Sequence, residues 1–121
     1  MERVTGIGGV FFRATNPENL SKWYLENLGV DPVPSGHEQL PWMQEAGPTV
    51  FAPFERDTDY FGKDTQGWMI NFRVRDLATM VAQLQDAGIA VSMVDADLAI
   101  GRFARLHDPE GNPIELWEPP V

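Results

Sequence analysis

Apolar side chains recur at helical spacing in two segments of the chain. In the first segment Asn16 suits the N-cap, Pro17 suits the first helical position and Gly29 suits the residue that ends a helix. The apolar positions of this segment are three or four residues apart: Leu20, Trp23, Tyr24 and Leu28. The pattern predicts a helix over residues 17–28.

The second segment has the same punctuation and the same kind of apolar stripe. Asp76 is placed to cap the helix at its start and Gly88 to close it. The stripe between them consists of Leu77, Met80, Val81 and Leu84. We expect a helix over residues 77–87.

Short runs typical of β-strands surround both helices. One run precedes each helix, at 9–14 and 69–74, and further runs follow at 30–33, 40–44 and 49–54 and again at 89–94, 102–107 and 113–117. The two opening runs match at an offset of 60, with Phe12 on Phe72 and Arg13 on Arg73. The order βαβββ therefore occurs twice, which predicts one α+β domain over residues 1–121 with modules at 5–60 and 67–120. The polar segment 55–67, called the linker below, connects the modules.

Alternation along the predicted strands divides the side chains between two faces. Residues 108–112 suit a tight reversal, which places Arg105 opposite Glu115 and Phe103 opposite Trp117. The remaining residues of these two strands are apolar and should pack on a helix. The opposite face mixes charge with aromatic rings, as ligand-binding surfaces do. The predicted cleft residues are Phe11, Arg13, Met69, Asn71, Arg73, Phe103, Arg105, Glu115 and Trp117.

Two stretches resemble the vicinal oxygen chelate superfamily, which includes glyoxalases, bleomycin-resistance proteins and extradiol dioxygenases. One is the run from Trp23 to Val30, and the other is the closing DPEGNPIELWEP at 108–119. The resemblance implies paired βαβββ modules that curl into an open, barrel-like sheet around a cleft. It also implies completion by a homodimer, as is common in that superfamily.

Metal-dependent members of the superfamily bind a divalent ion through His and Glu side chains from four strands. Carried over to this chain, those positions fall on Gly9, on Met69, within 50–53 and on Glu115, and only the last supplies a metal ligand. We therefore expect no metal centre of that type and no cofactor. An atypical site that combines His37 or His107 with Glu115 stays open, but no ligand spacing supports it.

Composition narrows the classes of partner and the cellular location. The net charge is −9, from 18 acidic and 9 basic residues, which disfavours binding to nucleic acid or to an anionic membrane. The absence of cysteine excludes disulfides and thiolate chemistry. No apolar run is long enough to span a bilayer, and no signal peptide is evident, so a cytoplasmic protein is expected.

The leading functional hypothesis is metal-independent binding of a small aromatic molecule that carries a negative group. Arg13, Arg73 and Arg105 suit a carboxylate or phosphate, although the first two could equally reach solvent. One alternative is a lyase or isomerase with Glu115 as general base, against which an ion pair with Arg105 must be weighed. Another is an accessory or regulatory subunit with a vestigial cleft. Within the linker, Tyr60 or Phe61 could enter the pocket as part of a lid, or the segment could be a surface connection with a buried aromatic anchor.

Overall fold

Two α-helices and one four-stranded sheet make up the regular structure of the computed structural model, which describes residues 1–121. In chain order the elements are α1 (Pro17–Leu28), β1 (Ile70–Arg73), α2 (Leu77–Asp86), β2 (Ser92–Val94), a short 3₁₀ helix (Leu98–Ile100), β3 (Arg102–His107) and β4 (Pro113–Glu118). The α+β class is confirmed. Neither helix has the length and apolar character that crossing a membrane requires.

Both helices begin at their predicted caps, and α1 ends before Gly29 as predicted, whereas α2 ends at Asp86, one residue before its predicted end. The Asn16 side chain accepts a 3.1 Å hydrogen bond from the backbone N–H of Asn19, and Gly29 takes the left-handed conformation at φ 72° that glycine favours. At α2, Asp76 accepts a 3.1 Å hydrogen bond from the Thr79 backbone N–H, and this bond lowers the pKa of the Asp76 carboxyl. Local capping chemistry therefore determines the helix boundaries.

The sheet has the strand order β1-β4-β3-β2 and an open edge at each end. β1 runs parallel to β4, whereas β4, β3 and β2 are joined in antiparallel pairs, and α2 connects β1 to β2 at the opposite edge. Arg105 faces Glu115 and Phe103 faces Trp117, which is the predicted register. The βαβββ order of the second module is confirmed.

One face of this sheet packs on the helices and forms the core. Its four central side chains, Ala104, Leu106, Ile114 and Leu116, are at most 2% exposed. Leu77 and Leu84 from α2 and Leu20 and Tyr24 from α1 cover them. Burial of each large apolar side chain stabilises the fold by roughly 1.5–3 kcal/mol. The side chains on the opposite face of the sheet are not part of this core.

The sheet contains strands of the second module only. The strands predicted over 9–14, 30–33, 40–44 and 49–54 do not form, so that part of the prediction is wrong. Residues 1–15 form no hydrogen bond to another backbone group. Three of the four predicted strands contain a proline, at Pro32, Pro41 and Pro53, which cannot donate to a sheet ladder. Phe11 and Phe51 are 95% and 85% exposed, so no neighbour within the chain covers these segments.

The reversal between β3 and β4 connects the two modules through side chains. Asp108, 4% exposed, accepts a 2.7 Å hydrogen bond from the Tyr24 hydroxyl of α1 and further bonds from Glu110 N–H and from Asn112. Burial, followed by the bond to Asp108, raises the pKa of Tyr24. Glu110 in turn accepts hydrogen bonds from the backbone N–H groups of Thr15 and Asn16, at 2.6 and 3.0 Å. Asp108 and Glu110 therefore attach the reversal to the first module.

Candidate functional site

Six of the nine predicted cleft residues share the sheet face that is turned away from the helices. The parallel register places Asn71 beside Glu115 and Arg73 beside Trp117, and the β3–β4 register adds two more residues. The full set is Asn71, Arg73, Phe103, Arg105, Glu115 and Trp117. This set is called the Glu115 face below.

Glu115 is the buried charge at the centre of this face. It is 8% exposed, and its carboxylate accepts hydrogen bonds from neutral donors only. Asn71 Nδ2 lies 2.7 Å from Glu115 Oε1, and the Tyr60 hydroxyl donates to Oε2. The ion pair with Arg105 that was considered from the sequence does not form. The site therefore holds a buried carboxylate whose two hydrogen-bond donors are both neutral.

Tyr60 brings the linker into the site. Its ring lies 4.6 Å from the Arg105 guanidinium carbon and stacks on Phe54 with centroids 5.6 Å apart and an interplanar angle of 23°. Burial and the hydrogen bond to Glu115 raise the pKa of Tyr60. An aromatic side chain of the linker is therefore seated on the Glu115 face, which both readings of the linker allow. The signal in the sequence was an aromatic pair inside an otherwise polar segment.

Phe103 and Trp117 form an aromatic platform next to the carboxylate. Their rings are stacked, with centroids 6.3 Å apart and an interplanar angle of 14°, and both side chains are partly exposed. Trp117 Nε1 donates a 2.9 Å hydrogen bond to the Ile100 carbonyl, which fixes the indole. Gly101 adopts φ 115°, and a Cβ there would collide with Trp117 Nε1, so glycine is required at this position.

The three arginines predicted as an anion receptor lie in different environments. Arg73 donates to the Glu45 carbonyl at 3.3 and 3.4 Å, and Gly47 gives its guanidinium room to do so. Arg105 forms no ion pair and lies over Tyr60. Arg13 is exposed and forms neither a hydrogen bond nor an ion pair. Only Arg105 is therefore beside Glu115 with its charge unpaired.

Phe11 and Arg13, the predicted cleft residues of the first module, are not brought onto the Glu115 face. Phe11 is 95% exposed and has no aromatic neighbour, because the segment that carries it is not part of the sheet. Its neighbour Phe12 instead packs on Trp68, with ring centroids 4.9 Å apart. Met69 is partly buried one residue before β1. The face is thus built from the second module and the linker.

The residues present do not fit the divalent metal that the superfamily resemblance implies. No group of three or more His, Asp or Glu side chains is close enough to hold an ion. Each oxygen of Glu115 already accepts a hydrogen bond from Asn71 or Tyr60, and both His37 and His107 are exposed. A single carboxylate does not make a divalent metal site.

A separate depression of about 500 Å³ lies at the start of α1 and shares no lining residue with the Glu115 face. Thr15, Asn16, Trp23 and Glu110 are among the residues that line it. The positive end of the helix there already faces the Glu110 carboxylate, which accepts the two backbone hydrogen bonds described above. This depression therefore offers less for ligand recognition than the Glu115 face.

Comparison with solved structures finds proteins of similar fold. TnmS3, an antibiotic binding protein from Streptomyces sp. CB03234, is 25% identical, with 87% of this chain and 88% of that chain covered and a TM-score of 0.52. A glyoxylase/bleomycin resistance protein/dioxygenase domain from Frankia sp. EAN1pec is 17% identical, with 97% and 99% covered and a TM-score of 0.60. A glyoxalase/bleomycin resistance protein from the same Streptomyces strain is 22% identical, with 86% and 92% covered and a TM-score of 0.50.

Comparison with curated proteins finds no match. The model of the glyoxalase-like domain family matches residues 9–117, which is most of the chain. The resemblance inferred from the closing motif is thereby confirmed. The chain belongs to the glyoxalase-like domain family, within the vicinal oxygen chelate superfamily.

Proposed function

We propose that the protein binds a small aromatic molecule on the Glu115 face without the help of a metal ion. The observation that carries the proposal is the Glu115 carboxylate, which is 8% exposed and accepts hydrogen bonds from neutral donors only. Burying a carboxylate among neutral hydrogen-bond donors costs stability. Binding of a ligand would explain why a buried carboxylate stands at this position.

The groups around Glu115 suit an aromatic ligand with a negative substituent. Phe103 and Trp117 provide a stacked, partly exposed surface for a planar ring. The guanidinium of Arg105 contacts the Tyr60 ring and forms no ion pair, so it is available to a carboxylate or phosphate. The likeness to TnmS3, an antibiotic binding protein, supports small-molecule binding as the class of function.

Thermal-shift titration with 2-naphthoate tests the proposal, because this probe combines a planar ring with a carboxylate. We expect a concentration-dependent rise in Tm, with an affinity about tenfold lower in Arg105→Ala, since a charge-assisted hydrogen bond is lost. Arg102→Ala is the matched control. Arg102 lies on the same strand, but by alternation on the opposite side of the sheet, and pairs with Glu118 at 4.0 Å. Equal loss in both variants would count against the Glu115 face.

The alternative of a lyase or isomerase uses the same carboxylate as a general base. Because Asn71 and Tyr60 each donate a hydrogen bond to it, the geometry favours ligand recognition over proton abstraction. Glu115→Gln separates the two: turnover lost while 2-naphthoate still binds would support the enzyme. The third reading, a vestigial cleft, gains if neither aromatic acids nor phosphates shift Tm.

We also propose that the protein is a homodimer. The chain exposes 9747 Å², whereas a folded monomer of its 13.6 kDa mass exposes about 6,600 Å². The excess of about 3,000 Å² per chain corresponds to about 6,000 Å² for two chains, at the upper end of what obligate homodimers bury in total. Exposed apolar side chains of the first module, such as Phe11 and Phe51, supply much of the interface expected.

A further inference from the structure

We propose that Tyr60 occupies the place of the ligand, and that the ligand is a hydroxylated aromatic molecule which takes over its contacts with Glu115, Arg105 and Phe54. The inference rests on the proposed function, because it specifies the molecule that binds to the Glu115 face. It adds that the linker must lift before binding.

The contacts of Tyr60 describe a ligand in chemical terms. A planar ring stacks on Phe54 at 5.6 Å and lies under the Arg105 guanidinium at 4.6 Å. The hydroxyl of the same ring donates to Glu115, whose other oxygen is taken by Asn71. A carboxylate can only accept hydrogen bonds, so the group that replaces the phenol must be a donor. A hydroxyl on an aromatic ring satisfies all three neighbours.

The hydrogen bonds of the linker allow it to move away from the sheet. Its backbone hydrogen bonds are local, as in Thr58 N–H to the Glu55 carbonyl and Gly62 N–H to the Asp59 carbonyl, both at 3.0 Å. Tyr60 to Glu115 is the one hydrogen bond that joins residues 55–67 to a strand of the sheet. Lifting the linker therefore breaks one hydrogen bond and the ring contacts, and leaves the core intact.

Closure by Tyr60 lowers the apparent affinity for any ligand of this site. When the competent, open state is a minor fraction, the apparent Kd is raised by the inverse of that fraction. A hydrogen bond to a buried carboxylate is strong enough to hold the open state at about one tenth or less. Removing the phenol should raise affinity, whereas removing a ligand-contacting residue would lower it.

The test compares 2-naphthol with 2-methoxynaphthalene, which has the same ring system without the donor, by fluorescence titration of the full chain. We expect Tyr60→Ala to bind 2-naphthol about tenfold more tightly than the unaltered protein, with Tyr60→Phe in between. Lys63→Ala, an exposed linker position, should leave the affinity unchanged. In Tyr60→Ala, 2-naphthol should bind more tightly than the methoxy compound, and Glu115→Gln in that background should reduce the preference.

The outcomes distinguish this inference from the proposed function. Tyr60→Ala and Tyr60→Phe that bind 2-naphthol no better than the unaltered protein would overturn the inference, and so would equal affinity for the two probes. If 2-naphthoate binding remains sensitive to Arg105→Ala in that case, the proposed function stands. If variants that unfold at the unaltered Tm bind neither naphthol nor 2-naphthoate, both fail. Two variants are used so that a folding defect in one leaves the other informative.

Discussion

The side-chain amide of Asn71 donates a 2.7 Å hydrogen bond to the Glu115 carboxylate across the parallel pair β1–β4. The two residues are 44 positions apart, and their strands meet because β4, the last strand in the chain, lies between β3 and β1. Their contact establishes that the alternate residues of β1, β3 and β4 converge on one face of the sheet. The Glu115 face exists because of that convergence.

Asn71→Asp should destabilise the fold in a pH-dependent way. At pH 7 two carboxylates would face each other, and the loss should be about 1–3 kcal/mol in free energy of unfolding. The pair would take up one proton with a raised pKa, so stability is retained at low pH and lost as pH rises through that pKa. Urea unfolding at pH 4 and pH 7 measures this. Asn71→Ala is the control, and an equal loss at both pH values for Asn71→Asp would contradict the geometry.

Tyr24→Phe tests the joint between α1 and the β3–β4 reversal. Removal of the hydroxyl from the buried Asp108 should cost about 1–3 kcal/mol at pH 7. Burial and Asp108 raise the pKa of Tyr24 in the folded chain above its ordinary value of 10.0. As pH rises above that value, the Tyr24 hydroxyl loses its proton more readily in the unfolded chain than in the folded chain, so the free energy of unfolding falls. The fall is at most about 1.4 kcal/mol per pH unit for one group. Chemical unfolding between pH 9 and 11 should show a shallower decline in Tyr24→Phe, and an unchanged slope would refute the assignment.

Gly101→Ala should be destabilising at a position where a Cβ has no room. The left-handed φ of 115° and the collision with Trp117 Nε1 together predict a loss of about 1–3 kcal/mol. Gly67→Ala is the matched control, because nothing lies within 4 Å of the Cβ there. Thermal unfolding of both variants gives the comparison. Equal Tm values would show that the Trp117 indole is not held where the structure has it.

Sedimentation velocity tests the proposed homodimer. We expect twice the mass of one chain at micromolar concentration, because the exposed apolar surface of the first module needs a partner. Phe51→Asp should shift the distribution toward monomer. Val121→Asp, at another exposed apolar residue, should not. A monomer at all concentrations would mean that the first module is covered in some other way.

The helices and the last strands could be predicted closely from local signals. Asn16, Gly29 and Asp76 act through their own backbone neighbourhood, so the helix ends follow from the sequence. Alternation along 102–107 and 113–117 likewise predicts the strand faces. The first-module strands could not be predicted in the same way, since a strand needs a hydrogen-bonding neighbour that alternation does not specify. Prolines inside three of those segments further disfavour strand formation there.

The strand residues of the candidate site could be predicted from alternation, whereas the position of Tyr60 could not. Asn71, Arg105 and Glu115 are placed by strand register, which a two-residue period predicts. Tyr60 comes from a segment without helix or strand, so its position depends on contacts with distant residues. The roles of Asp108 and Glu110 likewise arise from side-chain bonds to the first module that turn chemistry does not reveal.

The most direct test of ligand binding at the Glu115 face is an NMR titration of ¹⁵N-labelled protein with 2-naphthoate. The chain has 4 tryptophans, whose indole N–H signals can be assigned by single Trp→Phe variants. We predict a saturable shift of the Trp117 indole and the Asn71 side-chain amide, with the Trp23 indole unchanged. Shifts confined to Trp23 and the start of α1, or no saturable shift at Trp117, would contradict the account.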